Sequence, residues 1–223
     1  ALAYYCSPAN PQGAIAPMDT MKSLVGLARD HDFLLVSDEC YSELYYGAPP
    51  TGAAEACAAM GGTLENVAIM NSLSKRSSAP GLRSGFVAGD PELIRRFARL
   101  RDYGGAPPPL PLLAAATALW SDEDHVATNR AVYAEKYDVA AEILSDRFGY
   151  YSPEGGFYLW LDVGDGEDAA LRLWRDAGVR VIPGEYLARE ANGYHPGKGY
   201  IRLALVHDKD TTAEALTRLA NVL

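Results

Sequence analysis

The sequence predicts an α/β protein with a mostly parallel sheet, joined to a smaller α+β domain. Three observations carry that expectation. Short apolar runs alternate with helically periodic segments through the first half of the chain. A Gly/Pro-rich hinge, Gly104-Gly105-Ala106-Pro107-Pro108-Pro109, then breaks the alternation. Beyond it the elements become shorter and mixed, so the chain is expected to divide into a large domain over residues 1–128 and an interdomain helix with a small domain over residues 129–223.

In order, Leu2–Cys6 reads as a strand. It is apolar with no cap or turn ahead of it, like the middle of a buried element, and suggests further chain upstream. Met18–His31 places Met21, Leu24, Val25, Leu27 and Ala28 at helical spacing. Phe33–Ser37 is a continuous apolar run, suited to a strand covered on both faces. Val67–Met70 and Gly85–Ala88 are further short strands, and Pro91–Tyr103 is a helix with Leu93, Ile94, Phe97 and Leu100 on its apolar face. Past the hinge come helices over Leu112–Trp120 and Glu123–Arg147, the second long enough to bridge two domains. Strands Gly156–Asp162, Val179–Ile182 and Tyr200–Val206 are expected in the small domain, with helices Asp168–Ala177 and Thr212–Leu223.

With 223 residues, 48% of them hydrophobic, the chain can bury a sizeable core. Its net charge of −9 and pI near 4.9 argue against binding nucleic acid or anionic membranes, since there is no basic stripe to release counterions. No apolar run is long enough to span a bilayer. The three cysteines, Cys6, Cys40 and Cys57, are odd in number and lack a CxxC pattern, which points to reduced thiols in a cytoplasmic protein. The four histidines are scattered without HExxH, so no metal site is expected. GxSxG, P-loop and post-strand GxGxxG motifs are absent too. What remains is small-molecule chemistry by other means.

Four segments carry that chemistry. In Asn71-Ser72-Leu73-Ser74-Lys75, followed by Pro80-Gly81-Leu82-Arg83-Ser84-Gly85, two hydroxyls and a guanidinium accompany a lysine. A phosphate dianion wants that donor set, and Lys75 would then be held beside it with its amine near a carbonyl. By itself Ser-x-Ser-Lys is an ordinary loop sequence. Val36-Ser37-Asp38-Glu39-Cys40-Tyr41 puts an acid and a phenol at the carboxyl end of a buried strand, where open α/β sheets bind ligands. Asp38 could accept a proton from a ring nitrogen, although a helix cap or solvated turn is the commoner use of such a residue. Ser7-Pro8-Ala9-Asn10-Pro11-Gln12-Gly13 is a turn by composition. Finally, Arg202 stands inside the apolar stretch Gly199–Leu205, which implies a buried anion, either a structural carboxylate or a substrate.

Together, in this order and spacing, the four segments resemble the class I/II aminotransferases of pyridoxal 5′-phosphate (PLP) fold type I, over essentially the whole chain. The resemblance implies that Asn10 and Tyr41 hydrogen-bond the cofactor's phenolic oxygen, that Asp38 pairs with its ring nitrogen, and that Ser72, Ser74 and Arg83 hold its phosphate. Lys75 would carry the cofactor as an imine and, once released, move the substrate proton. Arg202, with Asn10, would bind the substrate carboxylate. It further implies amino-acid and oxo-acid substrates and a homodimer in the full-length protein. Ser72–Asp90, Gly156–Trp160 and Pro183–Glu190 are similar to the N-succinyldiaminopimelate aminotransferases of lysine biosynthesis. That subfamily would pair N-succinyl-LL-2,6-diaminopimelate with 2-oxoglutarate and glutamate.

Two departures stand against this pattern. The family's N-terminal third, with its small-residue phosphate loop and ring-stacking aromatic, has no counterpart in the sequence, and Gln12 stands where Thr is usual. The alternatives are therefore a PLP-dependent β-C–S lyase, which shares the lysine and arginine roles, and an inactive fragment or interaction module.

Overall fold

The computed structural model describes residues 1–105 and 107–223; Ala106, within the expected hinge, lies outside the described residues. These residues form two compact units, Ala1–Ala9 with Ala14–Arg130, and Asn10–Gly13 with Ala131–Leu223.

The first unit is built on a four-stranded sheet in the order β1-β2-β3-β4: β1 (Leu2–Cys6), β2 (Leu34–Asp38), β3 (Val67–Ser72) and β4 (Gly85–Gly89). The first three strands run parallel, and β4 is antiparallel to β3. In the register, Cys6 lies opposite Asp38 and Asp38 opposite Met70, so three strands end together at their carboxyl edge. Leu35, Val36 and Ser37 of β2 are all buried, as a central parallel strand requires.

Helix α1 (Met18–Asp30) lays Met21, Val25 and Ala28 into a core shared with Leu35, Val67 and Ile69. Into the same core packs α2 (Ala53–Ala59), through Ala53, Ala56 and Cys57. The helix α3 (Leu73–Arg76) is a single turn directly after β3. It is followed by α4 (Pro91–Gly104), capped by the Asp90 carboxylate on Glu92 and Leu93 N–H, and α5 (Leu110–Trp120). Helix α6 (Asp124–Leu144) belongs to the first unit through Arg130 and to the second from Ala131.

One strand departs from expectation. Strand β1 is not covered on both faces: Leu2 is 54% exposed and Tyr4 69%. Among the described residues it pairs with β2 alone, so it is an edge, and alternate residues face outward.

In the second unit, β5 (Tyr158–Asp162), β6 (Ile182–Pro183) and β7 (Tyr200–Ala204) form an antiparallel sheet in the order β5-β7-β6. Helix α7 (Gly166–Arg172) starts on the Asp165 carboxylate and continues as a π-helical turn, Leu173–Ala177, closed by Gly178 at φ 65°. Helix α8 (Lys209–Val222) starts on Asp208. Leu144, Leu159, Leu161, Leu173, Ile201, Leu216 and Leu219 form the core. The expected strand Val179–Ile182 is reduced to two residues further along. Val179 and Val181 go into the core, and Pro183 has no N–H to extend the ladder.

Gly13 closes part of this unit. Its carbonyl accepts Gly155 N–H at 2.9 Å, its φ is +73°, and a Cβ there would meet Pro153 Cβ at 2.5 Å and the Gly155 oxygen at 2.6 Å. Gly13→Ala is therefore expected to cost about 2–3 kcal/mol by thermal unfolding, since it adds both backbone strain and a backbone clash.

Candidate active site

The carboxyl edge of the first sheet gathers the unit-one residues singled out from sequence. Asp38 is the last residue of β2 and is half-buried; its Oδ1 accepts Cys40 N–H at 3.1 Å. Burial, reinforced by the neighbouring Asp38 carboxylate, pushes the Cys40 thiol up to about 12, so it stays protonated across the physiological range. Tyr41 is buried, at 7% exposure, and the Lys75 ammonium lies 6.0 Å from its ring centroid.

Lys75 is placed by α3. Strand β3 runs two residues further than the sequence suggested, to Ser72, and Ser72 is the N-cap of the helix. Ser72 Oγ accepts Ser74 N–H at 3.1 Å and lies 2.9 Å from Ser74 Oγ and 3.1 Å from the Ser84 carbonyl oxygen. Leu73 N–H donates to the same carbonyl at 3.1 Å. Ser72 is thus tied directly, and Ser74 through it, to the segment that carries Arg83. Arg83 is exposed, sits in the left-handed region at φ 51°, and donates to the Pro80 carbonyl at 2.9 Å. Asn71 Nδ2 lies 3.3 Å from Ser42 Oγ, which links the end of β3 to the loop of Tyr41.

Glu39, next to Asp38, anchors rather than faces this edge. Its Oε1 accepts Ser37 Oγ–H at 3.0 Å and Ala53 N–H at 2.8 Å, at the start of α2. Burial raises its carboxyl above the ordinary 4.5, partly offset by those two hydrogen bonds. The folded chain then holds this proton to higher pH than the unfolded chain does. Stability from Glu39 is accordingly greatest below 4.5 and falls as pH rises through the raised value. Glu39→Gln, which can accept both bonds without charge, should flatten that decline and gain about 1 kcal/mol at neutral pH, measured by denaturant unfolding at acid and neutral pH.

The second unit places Asn10 and Arg202 together. Arg202, on β7 opposite Trp160 and Ile182, donates from Nη1 to Asn10 Oδ1 at 3.0 Å, and its guanidinium lies 4.4 Å from the Tyr158 ring centroid. Of the two partners expected for Arg202, a structural carboxylate or a substrate, the first is not found among the described residues. Among the described residues Arg202 pairs with a neutral amide and an aromatic face, and its hydrogen bond lies at an exposed position. Nearby, Trp160 stacks on Tyr200 at 4.9 Å and 3°.

Sequence reasoning missed the residues that hold α3 from behind. Arg76, His125 and Asn129 bond to it or from it across 43 to 54 positions. No local pattern signals such contacts. The amide-rich or basic residues of a helical surface face look alike whether or not they have a partner.

Lys75 on its one-turn helix, Asp38 at the neighbouring strand end and the Ser72–Ser74 hydroxyl pair thus meet along one sheet edge. Comparison with known proteins places the chain more closely. Residues 2–219 match the family model for aminotransferase class I and II. An aminotransferase structure from Neisseria meningitidis superposes with a TM-score of 0.93 at 41% identity, over 99% of this chain and 57% of that one. A probable N-succinyldiaminopimelate aminotransferase of Thermus thermophilus superposes at 0.84 with 30% identity, over 100% and 58%. A 4-dedimethylamino-4-oxo-anhydrotetracycline transaminase of Streptomyces rimosus is 33% identical over 96% of this chain and 58% of its own length. The chain belongs to the class I and II aminotransferases, a PLP-dependent family. It spans just over half the length of these relatives.

Proposed function

We propose that the protein carrying this chain transfers the amine of an amino acid to an oxo acid, with Lys75 as the covalent anchor of PLP. The observation that carries this reading is the Lys75 ammonium over the buried Tyr41 ring, directly after the Ser72–Ser74 hydroxyl pair. The donor set fits the group. Ser72, Ser74 and Arg83 offer two hydroxyls and a guanidinium to a phosphate, Asp38 offers a carboxylate to a protonated ring nitrogen, and Tyr41 and Asn10 offer hydrogen bonds to a phenolic oxygen. When bound, PLP supplies an aldehyde for the Lys75 amine and a cationic ring that withdraws electrons.

Each residue then has a task of its own. Asp38 keeps the ring nitrogen protonated through charge pairing. Lys75, once freed, would act as base and then acid, moving a proton between the substrate's Cα and the cofactor's C4′. Arg202 holds the substrate carboxylate with two parallel N–H donors. The Asn10 amide and the Tyr158 ring fix the plane of the guanidinium.

The substrate proposed is N-succinyl-LL-2,6-diaminopimelate with 2-oxoglutarate and glutamate. This rests on the similarity to the Thermus thermophilus protein of that description. A homodimer is proposed as well. Leu100, Tyr103 and Leu110 are 65%, 87% and 80% exposed around the end of α4 and the start of α5, an apolar surface suited to a second copy. Borohydride reduction with PLP, followed by peptide mapping, should place the cofactor on Lys75. Glutamate-dependent amine transfer would support the transaminase reading, and pyruvate release from a cysteine conjugate would replace it with a lyase.

A further inference from the structure

We infer that Asn129, on the first turns of α6, is a positioning residue for Lys75, capping in trans the one-turn helix that carries it. The inference rests on the PLP reading of Lys75 given above.

A four-residue helix cannot stabilise itself. Closing one turn fixes several dihedrals for a single hydrogen bond, and every carbonyl of such a turn is an end group needing a partner. In α3 the Leu73 carbonyl is used locally, by Ser77 N–H at 3.0 Å and Ala79 N–H at 3.4 Å. The carbonyls of Lys75 and Arg76 are taken from outside: Asn129 Nδ2 donates to them at 3.1 Å and 3.3 Å. Asn129 Oδ1 in turn accepts from Ser78 Oγ at 2.9 Å, which fixes the orientation of the amide.

Two neighbouring contacts hold the same turn. The buried Arg76 guanidinium donates to the Leu119 carbonyl at 2.8 Å, pairs with the Glu123 carboxylate and lies 5.2 Å from the Trp120 ring. His125 Nε2 lies 2.8 Å from Ser77 Oγ, and its Nδ1 lies 2.9 Å from Asp122 Oδ2. These contacts seize the side chains flanking Lys75. Asn129 instead bonds to the Lys75 backbone itself. The next residue, Arg130, grips the Tyr41 loop: it donates to the Glu43 carbonyl at 2.9 Å, pairs with the Glu43 carboxylate at 3.1 Å and lies 4.1 Å from the Tyr45 ring. Adjacent residues of one rigid helix thus hold the backbone of Lys75 and the loop of Tyr41, and so set the separation of amine and phenol.

The test compares Asn129→Ala, Asn129→Asp and Asn129→Ser in the otherwise intact protein. Asp keeps the shape but has no donor; Ser keeps one donor. Two readouts are used: amide hydrogen exchange over residues 73–79 without cofactor, and capture of PLP by Lys75 with the absorbance maximum of the bound form. Ala and Asp are expected to speed exchange over 73–79 by about tenfold, weaken PLP capture by about tenfold and displace the absorbance maximum, with Ser restoring part of each. Ser78→Ala, which removes the bond that orients the amide but leaves its donor, should move all three in the same direction by less. If Asp behaves as wild type, Asn129 only fills space and the inference is overturned. If wild type captures no PLP, the functional reading fails, and exchange alone then decides: unchanged exchange in the Asp variant overturns the inference, faster exchange confined to 73–79 upholds it. Should Ala fail to fold, the Asp and Ser pair carries the same comparison.

Discussion

Lys75→Ala is expected to lower amine transfer by at least about four orders of magnitude in the protein that carries this chain, because on the proposed function it removes both the covalent anchor and the proton carrier. Binding of PLP itself should survive in weakened form. Ser72, Ser74 and Arg83 stand on β3, α3 and the turn before β4, and their mutual hydrogen bonds do not involve the Lys75 side chain. Stopped-flow absorbance with PLP, together with a coupled glutamate assay, would check both halves. Retained turnover in the alanine variant would remove Lys75 from the chemistry.

Arg202→Lys is expected to lower kcat/KM for the amino-acid substrate by about a hundredfold, chiefly through KM. A lysine keeps the charge but loses the planar fork that grips a carboxylate at two oxygens. It also loses the present supports of that fork, the Asn10 amide at 3.0 Å and the Tyr158 ring at 4.4 Å. Covalent capture of PLP by Lys75 should be unchanged in this variant, which separates carboxylate binding from cofactor binding. An equal loss with a substrate analogue lacking the carboxylate would contradict the assignment.

Much of this architecture was legible in the residues. Leu2–Cys6 and the apolar run ending in Asp38 form parallel neighbours, and the Met18 segment is the helix between them. Patterns of period 3.6, and continuous apolar runs, record which face is buried, so elements that pack by large side chains announce themselves. Helix α2 did not, because Ala-Ala-Glu-Ala-Cys-Ala-Ala buries small residues that carry no such contrast. Val179 and Val181 looked like strand and are core residues of a loop, since a β-branched side chain suits either. At the candidate site, Lys75, Asp38 and Arg83 were singled out by the order and spacing of their segments, since each segment alone is ordinary. Asn129 was not, because its role is a pair of hydrogen bonds to backbone 54 and 53 residues away, and backbone carbonyls have no sequence signature.

The contact between Arg76 and Trp120 has a spectroscopic use. The chain has three tryptophans, and of these Trp120 alone lies in the first unit; Trp160 and Trp174 lie in the second. Its indole borders the guanidinium of the residue that follows Lys75 and lies 5.2 Å from the Phe86 ring on β4. With the other two indoles replaced by phenylalanine, its emission becomes an optical probe of the lysine-bearing turn, reporting loosening or tightening there without label or substrate.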